Sequence, residues 1–432
     1  MKKISLLIAS IFVLFMSLLV SCQSDEQPTD EKITSANEEI PQLEPVSTIV
    51  DVGTRNAQPA VIKLTFWITE KFAAQSDLLN EQLADFERAN RHLNVETVLK
   101  RNAGPAGILN FLLSAHSVAP GVLPDVVILS SDDLPKAWRN DLIQPLDGQI
   151  DSTIIEDLLP AARMLGTVDG QLAGVPFEMN VEHIIYNTNQ ISSSFVLWDD
   201  VLSQNIRYQF PAQGPNNTLS HTILGQYLSA GGTLMDEEGN VAINDVALKS
   251  VLTYYQSAIE HGIIDDTILD ISTTEDLWDK YLAGSIDVIH TNTHKYLTDR
   301  RLLNDTKIAP IPSQKEKLVI IGQGWVLAIV TKDSIRQTEA IRLVQSLISA
   351  EANAAWSSRS AVIPTRKTAF ELVAGDDPYW TFLREYLNSV TAPPNFVGYE
   401  QLSRILQQAV VQVIHQEATP DEAVQTALNA LQ

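Results

Sequence analysis

Two carboxylates, Asp132 and Glu178, are the pair in this sequence best placed to act as acid and base, the chemistry by which paired Asp and Glu side chains hydrolyse glycosidic bonds. Spacing alone does not fix their separation, so hydrolysis and plain binding are both open at this point. After a turn at Asp169-Gly170, two extended apolar pieces are split by polar Glu178, Asn180 and Glu182. A strand with that pattern can pass from one domain into another, and polar residues at the crossing need water or a ligand as partners. His290 and His294 have the i, i+4 spacing of a helical metal pair, but the residues before them read as a strand and no third ligand is ordered nearby. No metal is expected there. The run from Asp236 to Asn240 lacks the alternating ligands and terminal Glu of a calcium loop, so it reads as a turn. The sequence carries no Gly-x-Ser-x-Gly element, Walker-type loop or dinucleotide fingerprint, and no cofactor is expected.

The frame that must hold these residues is large. With 432 residues and 45% hydrophobic composition, the chain can build two domains by packing alone. Its 30 Lys and Arg against 53 Asp and Glu give a net charge of -23. That balance argues against nucleic acid and against adhesion of the body to an anionic lipid surface, favours solubility, and leans any ligand toward neutral or cationic. Lys2 and Lys3 followed by an apolar run from Ile4 to Val20 read as an export signal. The run ends in Leu19-Val20-Ser21-Cys22, which resembles the cleavage pattern of bacterial lipoproteins. Cys22 is then expected to be lipidated, anchoring the chain outside the cytoplasm on the bacterial cell membrane. As the only cysteine, it leaves no thiol for a disulfide or a catalytic thiolate. Residues 23–60 are acidic and polar, with Pro28, Pro41 and Pro45, and read as a disordered tether with a reach of about 35 Å.

From residue 61 onward the texture is α/β. A strand over 61–67 precedes a helix over 74–91, in which Leu78, Leu79, Leu83 and Phe86 recur at helical spacing. Strands over 93–99 and 125–129 flank a helix over 106–117. The loops 69–72 and 130–133 leave the carboxyl ends of strands, where an open α/β sheet presents ligand contacts. Further on come a helix start at Trp198-Asp199-Asp200-Val201-Leu202, a hairpin over 231–244, and helices over 245–261 and 278–283. A strand over 286–290 opens into Thr291-Asn292-Thr293, and a strand over 318–330 is interrupted at Gly322-Gln323-Gly324-Trp325. The remainder reads as mainly helical.

The order of these pieces resembles the family 1 extracellular solute-binding proteins of ABC importers, the group that includes maltodextrin-binding proteins. The matching segments are Leu64-Thr65-Phe66-Trp67, Phe86-Glu87-Arg88-Ala89-Asn90, Pro124-Asp125-Val126-Val127 and Leu142-Ile143-Gln144-Pro145-Leu146-Asp147, then residues 169–189, Trp198 to Val201, residues 322–329 and Ile363-Pro364-Thr365-Arg366. The resemblance implies a two-lobe periplasmic-binding-protein fold of type II, with residues 61–177 and 318–363 in lobe 1 and 178–317 and 364–432 in lobe 2. It also implies a carbohydrate held between the lobes, hinge closure, no bond-making chemistry, membrane permease subunits as partners and a monomer. The chain departs from the family pattern at Gly322-Gln323-Gly324 and at Gly284-Ser285-Ile286-Asp287-Val288.

A sugar offers apolar ring faces edged by hydroxyls, so its site needs aromatic platforms and planar polar groups. Trp67, Trp325 and Tyr399 stand at loops or strand ends and are the expected platforms, whereas Trp138 and Trp356 follow helical spacing and read as packing. Glu70, Asp132, Glu178, Asn180, Asn292, Gln323 and Arg359 are the expected polar contacts, with Glu178 and Trp325 foremost. A surface-anchored glycoside hydrolase and a receptor subunit reporting to a membrane sensor are the competing readings.

Overall fold

A computed structural model describes residues 61–192, 195–315 and 317–431. The expected export signal, Cys22 and the tether 23–60 lie outside the described residues. Strand Ile62–Thr69 shows how the first sheet buries both faces. Leu64, Phe66 and Ile68 point to one side, joining Leu79, Leu83 and Phe86, while Trp67 points to the other, among Ile108, Leu112 and Val127. Period-two alternation delivers apolar groups to two helical layers, and the strand is buried over its last four residues.

The first sheet runs Leu93–Lys100, Ile62–Thr69, Val126–Ser130, Gln323–Ile329, Val175–Asn180. The first three strands are parallel, and the late strand Gln323–Ile329 inserts antiparallel between its two neighbours. Asp125 ties this sheet to the helix Ser334–Leu347. Its Oδ2 accepts from the Thr65 backbone N–H at 2.7 Å, and its two oxygens accept from Arg336 Nε at 2.8 Å and Nη2 at 2.5 Å. This bidentate pair fixes both orientation and register.

The second sheet is ordered Thr306–Ala309, Glu182–Asn187, Val288–Asn292, Tyr208–Gln209. Its core is shared with helices His221–Ser229, Asp245–Glu260, Tyr399–Ile414 and Pro420–Leu431. Val175–Asn180 belongs to the first sheet and Glu182–Asn187 to the second, so the chain changes sheets at Val181, as the polar interruption in the sequence predicts. A return passage pairs Ile363 with Met179 through backbone bonds of 3.0 and 2.9 Å. Another sends Ile320–Ile321 to pair with Val390–Thr391 before the late strand begins at Gln323. The expected single strand over 318–330 is therefore two strands in different sheets, divided at Gly322.

Glycine is required on both sides of that division. A Cβ on Gly322 would lie 2.6 Å from Val390 Cγ1, and one on Gly324 would lie 2.6 Å from the Glu178 carbonyl oxygen. Smaller departures have local causes. The expected loop after the first strand coils into the 3-10 turn Glu70–Gln75, and the hairpin over 231–244 reduces to one bridge between Met235 and Val241. Thr291 and Asn292 finish a strand, and a helix starts at Thr293. Among the described residues no helix is long and apolar enough to cross a membrane.

Candidate functional site

A cleft of about 320 Å³ opens where the carboxyl end of the first sheet faces the second cluster of elements. Ser131, Asp132 and Pro135 come from the segment that follows strand Val126–Ser130, and Gln323 from the start of the late strand. Glu182 begins the crossing strand at the base. The opposite side is formed by the segment from Pro211 to Thr222 and by Tyr399 at the first turn of its helix.

The Pro211 to Thr222 wall is held by capping. Ser220 Oγ accepts from the Ile223 backbone N–H at 3.2 Å, closing the amino end of helix His221–Ser229, and donates to the Pro211 carbonyl at 2.8 Å. The Leu219 N–H donates to Ser403 Oγ at 2.8 Å, joining the same loop to the helix that carries Tyr399. His221 and Thr222 are thereby set at the first turn, facing the cleft.

Glu182 is the best-connected group at the base. Its Oε2 accepts from Thr222 Oγ1 at 2.7 Å and lies 3.4 Å from His290 Nδ1, while the far ring nitrogen of His290 meets the Tyr208 hydroxyl at 2.6 Å. Burial acts to raise the carboxyl of Glu182, but the bonds from His290 and Thr222 outweigh it and hold the group below the usual glutamate range. It is a carboxylate at neutral pH, ready to accept further hydrogen bonds. Across the base, Gln323 Nε2 donates to His221 Nδ1 at 2.9 Å, linking the late strand of the first sheet to the capped helix of the second cluster. The Tyr399 hydroxyl is pushed up to about 12, by burial first and by the charge of Asp132 as a lesser cause, so it stays a neutral donor and acceptor. Proline rings from Pro135, Pro211, Pro215, Pro393 and Pro394 add rigid apolar surface. Carboxylates, an amide, an imidazole and hydroxyls set among ring faces suit a ligand with alternating C–H and O–H surface.

Of the residues singled out in the sequence, Asp132, Gln323 and Tyr399 meet at this cleft. Trp67 does not: its indole is 3% exposed, edge-on to Phe111 at 6.1 Å with Lys100 Nζ 4.3 Å from the ring centre. The strand ends later than the sequence suggests and is covered on both faces, which makes Trp67 a core residue instead of a platform. Asn292 caps helix Thr293–Asp299 through the Lys295 N–H at 2.9 Å and donates to Thr274 Oγ1 at 2.7 Å and Glu275 Oε1 at 2.8 Å. Its hydrogen-bonding capacity is committed within the fold.

Glu178, 2% exposed, pairs with the Lys71 ammonium and accepts from Trp356 Nε1 at 2.8 Å. Trp325 lies beside it, edge-on to Phe72 at 5.3 Å, with Lys71 Nζ 5.4 Å from its ring centre. Both sit outside the residues lining the cleft, so Asp132 and Glu178 do not share a cavity as an acid and base would. Asn180 accepts from the His294 backbone N–H at 3.1 Å, Glu70 is exposed 4.0 Å from Arg101, and Arg359 is exposed on the last turn of helix Ala350–Ser360. His290 and His294 are divided between strand and helix, and their rings bond to Glu182 and Tyr208 and to the Ser360 carbonyl respectively. His221, Thr222 and Ser220 escape the sequence reading, although a Pro-Gly-Asn-rich loop followed by a Ser cap is a signal that marks them.

The model of a family described as bacterial extracellular solute-binding protein matches residues 83–381. The fold is similar to solved structures at low identity. A cyclic α-maltosyl-1,6-maltose binding protein from Arthrobacter globiformis superposes with a TM-score of 0.73 at 16% identity, covering 86% of this chain and 98% of that one. The sugar-binding protein of the phytopathogen Xanthomonas citri gives 0.70 at 19% identity, covering 85% and 96%. An ABC transporter solute-binding protein from Thermotoga lettingae, bound with α-D-tagatose, gives 0.67 at 18% identity, covering 85% and 98%.

Proposed function

Because the chain belongs to the bacterial extracellular solute-binding proteins, we propose that it captures a carbohydrate in the cleft between its lobes and delivers it to an ABC permease. The observation that carries this reading is the cleft itself, whose polar groups come from both sheets and are bridged at the base by Gln323 and His221. Solved neighbours whose ligands are maltose-type sugars or tagatose support a sugar over other small solutes. Asp132, Gln323, Tyr399, Glu182, His221 and Thr222 are the proposed contacts, and the ligand leaves unchanged.

We further propose residues 61–177 and 318–363 as one lobe and 178–317 and 364–432 as the other. Clusters of buried side chains support this division: helices Ser334–Leu347 and Ala350–Ser360 pack on the first sheet, and the helices after Arg366 pack on the second. The lobes close about the passages at Val181, Gly322 and Ile363. A lipidated Cys22 holds the monomeric body to the outer side of the cell membrane through the tether 23–60. A mature amino terminus without an acylated Cys22, read by mass spectrometry of the membrane-fraction protein, would sink the anchor.

A thermal-shift screen against mono- and oligosaccharides and polyols tests the main reading. A ligand that binds the native state raises the midpoint by mass action. A saturable rise with one sugar class, lost in Tyr399→Ala and accompanied by no product, is expected. A rise only with peptides or amines, or release of a cleaved sugar, would replace it.

A further inference from the structure

The ionisable groups that line the cleft are three acids, a histidine and a tyrosine. Asp132, Glu182, Glu400 and His221 line it, and no Lys or Arg does among the described residues. His221 Nδ1 is taken by the Gln323 amide at 2.9 Å. Glu400 is paired with Arg404 at the surface. That leaves Asp132 and Glu182.

Asp132 is exposed and has no hydrogen bond or ion pair among the described residues. Glu182 keeps its charge. The Tyr208 hydroxyl meets His290 Nε2 at 2.6 Å, and Nδ1 of the same ring lies 3.4 Å from the Glu182 carboxylate, which it helps to hold ionised. The Thr222 hydroxyl is neutral. The side chain of Glu182 is 20% exposed, on the cleft side. Lys71, Arg207 and Arg336 are engaged elsewhere, with Glu178, Asp287 and Asp125. Two carboxylates in one recess whose described lining holds no Lys or Arg attract a positive charge and repel a negative one. The surrounding net charge of -23 acts in the same direction.

We propose that the cleft prefers saccharides bearing a protonated amine, amino sugars and their oligomers, over neutral ones, and excludes sugar acids and phosphorylated sugars. This rests on the sugar-binding reading above and narrows it to a charge class. Glu182 and Asp132 are the residues that set the preference.

The test titrates the purified full chain by calorimetry with three β-1,4 trimers of matched length: of glucosamine, of glucose and of glucuronic acid. At about pH 6 the amines are charged and Glu182 is ionised. The glucosamine trimer is expected to bind about tenfold or more tighter than the glucose trimer, with no detectable uronate binding. The advantage should shrink with added salt and fall about threefold or more in Asp132→Asn and in Glu182→Gln, while affinity for the glucose trimer changes less. If Glu182→Gln does not fold, the exposed Asp132→Asn decides alone. Equal binding of the amine and neutral trimers, or uronate binding of similar strength, overturns the charge preference and leaves the sugar reading standing. Failure of all three to bind also overturns it, and the sugar reading then stands or falls on the neutral panel in the thermal-shift screen.

Discussion

Glu178 and Glu182 lie four residues apart on either side of the crossing, and the fold gives them opposite fates. Glu178 is 2% exposed, with one oxygen on the Lys71 ammonium and the other on the Trp356 indole N–H. Glu182 has one oxygen held by Thr222 and neighboured by His290, and the rest of the group opens on the cleft. A carboxylate whose partners are supplied by its own fold contributes to stability, whereas one left partly unmatched at a recess is available to a ligand. The sequence presents the two as equivalent polar interruptions, and only their surroundings tell them apart.

The largest effect expected from this contrast is in Glu178→Ala. It strands the Trp356 N–H and leaves Lys71 without its partner, a loss of about 3 kcal/mol in a denaturant titration, moderated by the partial exposure of Lys71. Affinity of the folded protein for sugar should not change. A loss below about 1 kcal/mol would break the comparison.

His183 sharpens it on the strand that carries Glu182. Burial, its largest influence, depresses the imidazole to about 4 from an ordinary 6.5, so the ring is neutral in the fold at neutral pH. The unfolded chain takes up a proton below about 6.5 that the native state refuses until about 4, so stability is full above that window and falls as pH drops through it, by up to about 3 kcal/mol. His183→Gln should flatten this part of the stability profile, measured as melting midpoint against pH. Glu182, held low in the fold, adds a loss of the same sign as pH falls through its folded value.

Two smaller effects concern binding. Glu182→Ala should weaken the sugar identified by screening at least tenfold, about 1.4 kcal/mol, with a change in unfolding midpoint much smaller than that of Glu178→Ala. Gln323→Ala, which removes the amide that bridges to His221, should cost about 0.5–1 kcal/mol of affinity, and little stability since Gln323 is exposed. Calorimetry reads both, and a reversed order would move the centre of the site away from Glu182.

Most of the architecture was legible because it rests on local pattern. The first strand, two residues longer at its end than expected, the helix with Leu79, Leu83 and Phe86, and the crossing after Gly174 lie close to where the pattern places them. The site was legible only in part, because burial depends on partners far along the chain. Nothing near Trp67 announces that helix Ile108–Val118 covers its face of the strand, and nothing near Glu178 announces Lys71 and Trp356. Asn292 was misread for a local reason: the strand runs two residues further than its β-branched core suggests, which turns an expected loop amide into a helix cap. His221 and Thr222 gain their meaning from the bend between Pro211 and Ser220, a feature of loop chemistry that hydrophobic periodicity does not register.

The placement of strand Gln323–Ile329 between Val126–Ser130 and Val175–Asn180 has a consequence for how the molecule is made. Until residue 329 has been delivered, the middle of the first sheet is a gap, with Val126–Ser130 and Val175–Asn180 each lacking the partner on its inner edge. Closing it requires Trp325 to find Ser130 and Glu178 across long stretches of chain, a non-local step of the kind that slows folding. Assembly of the first sheet thus waits on the strand Gln323–Ile329, about three quarters of the way along the polypeptide. A fragment ending at residue 322 is expected to bind hydrophobic dye and exchange its amides freely, and native protection of residues 126–130 in such a fragment would refute this order of events.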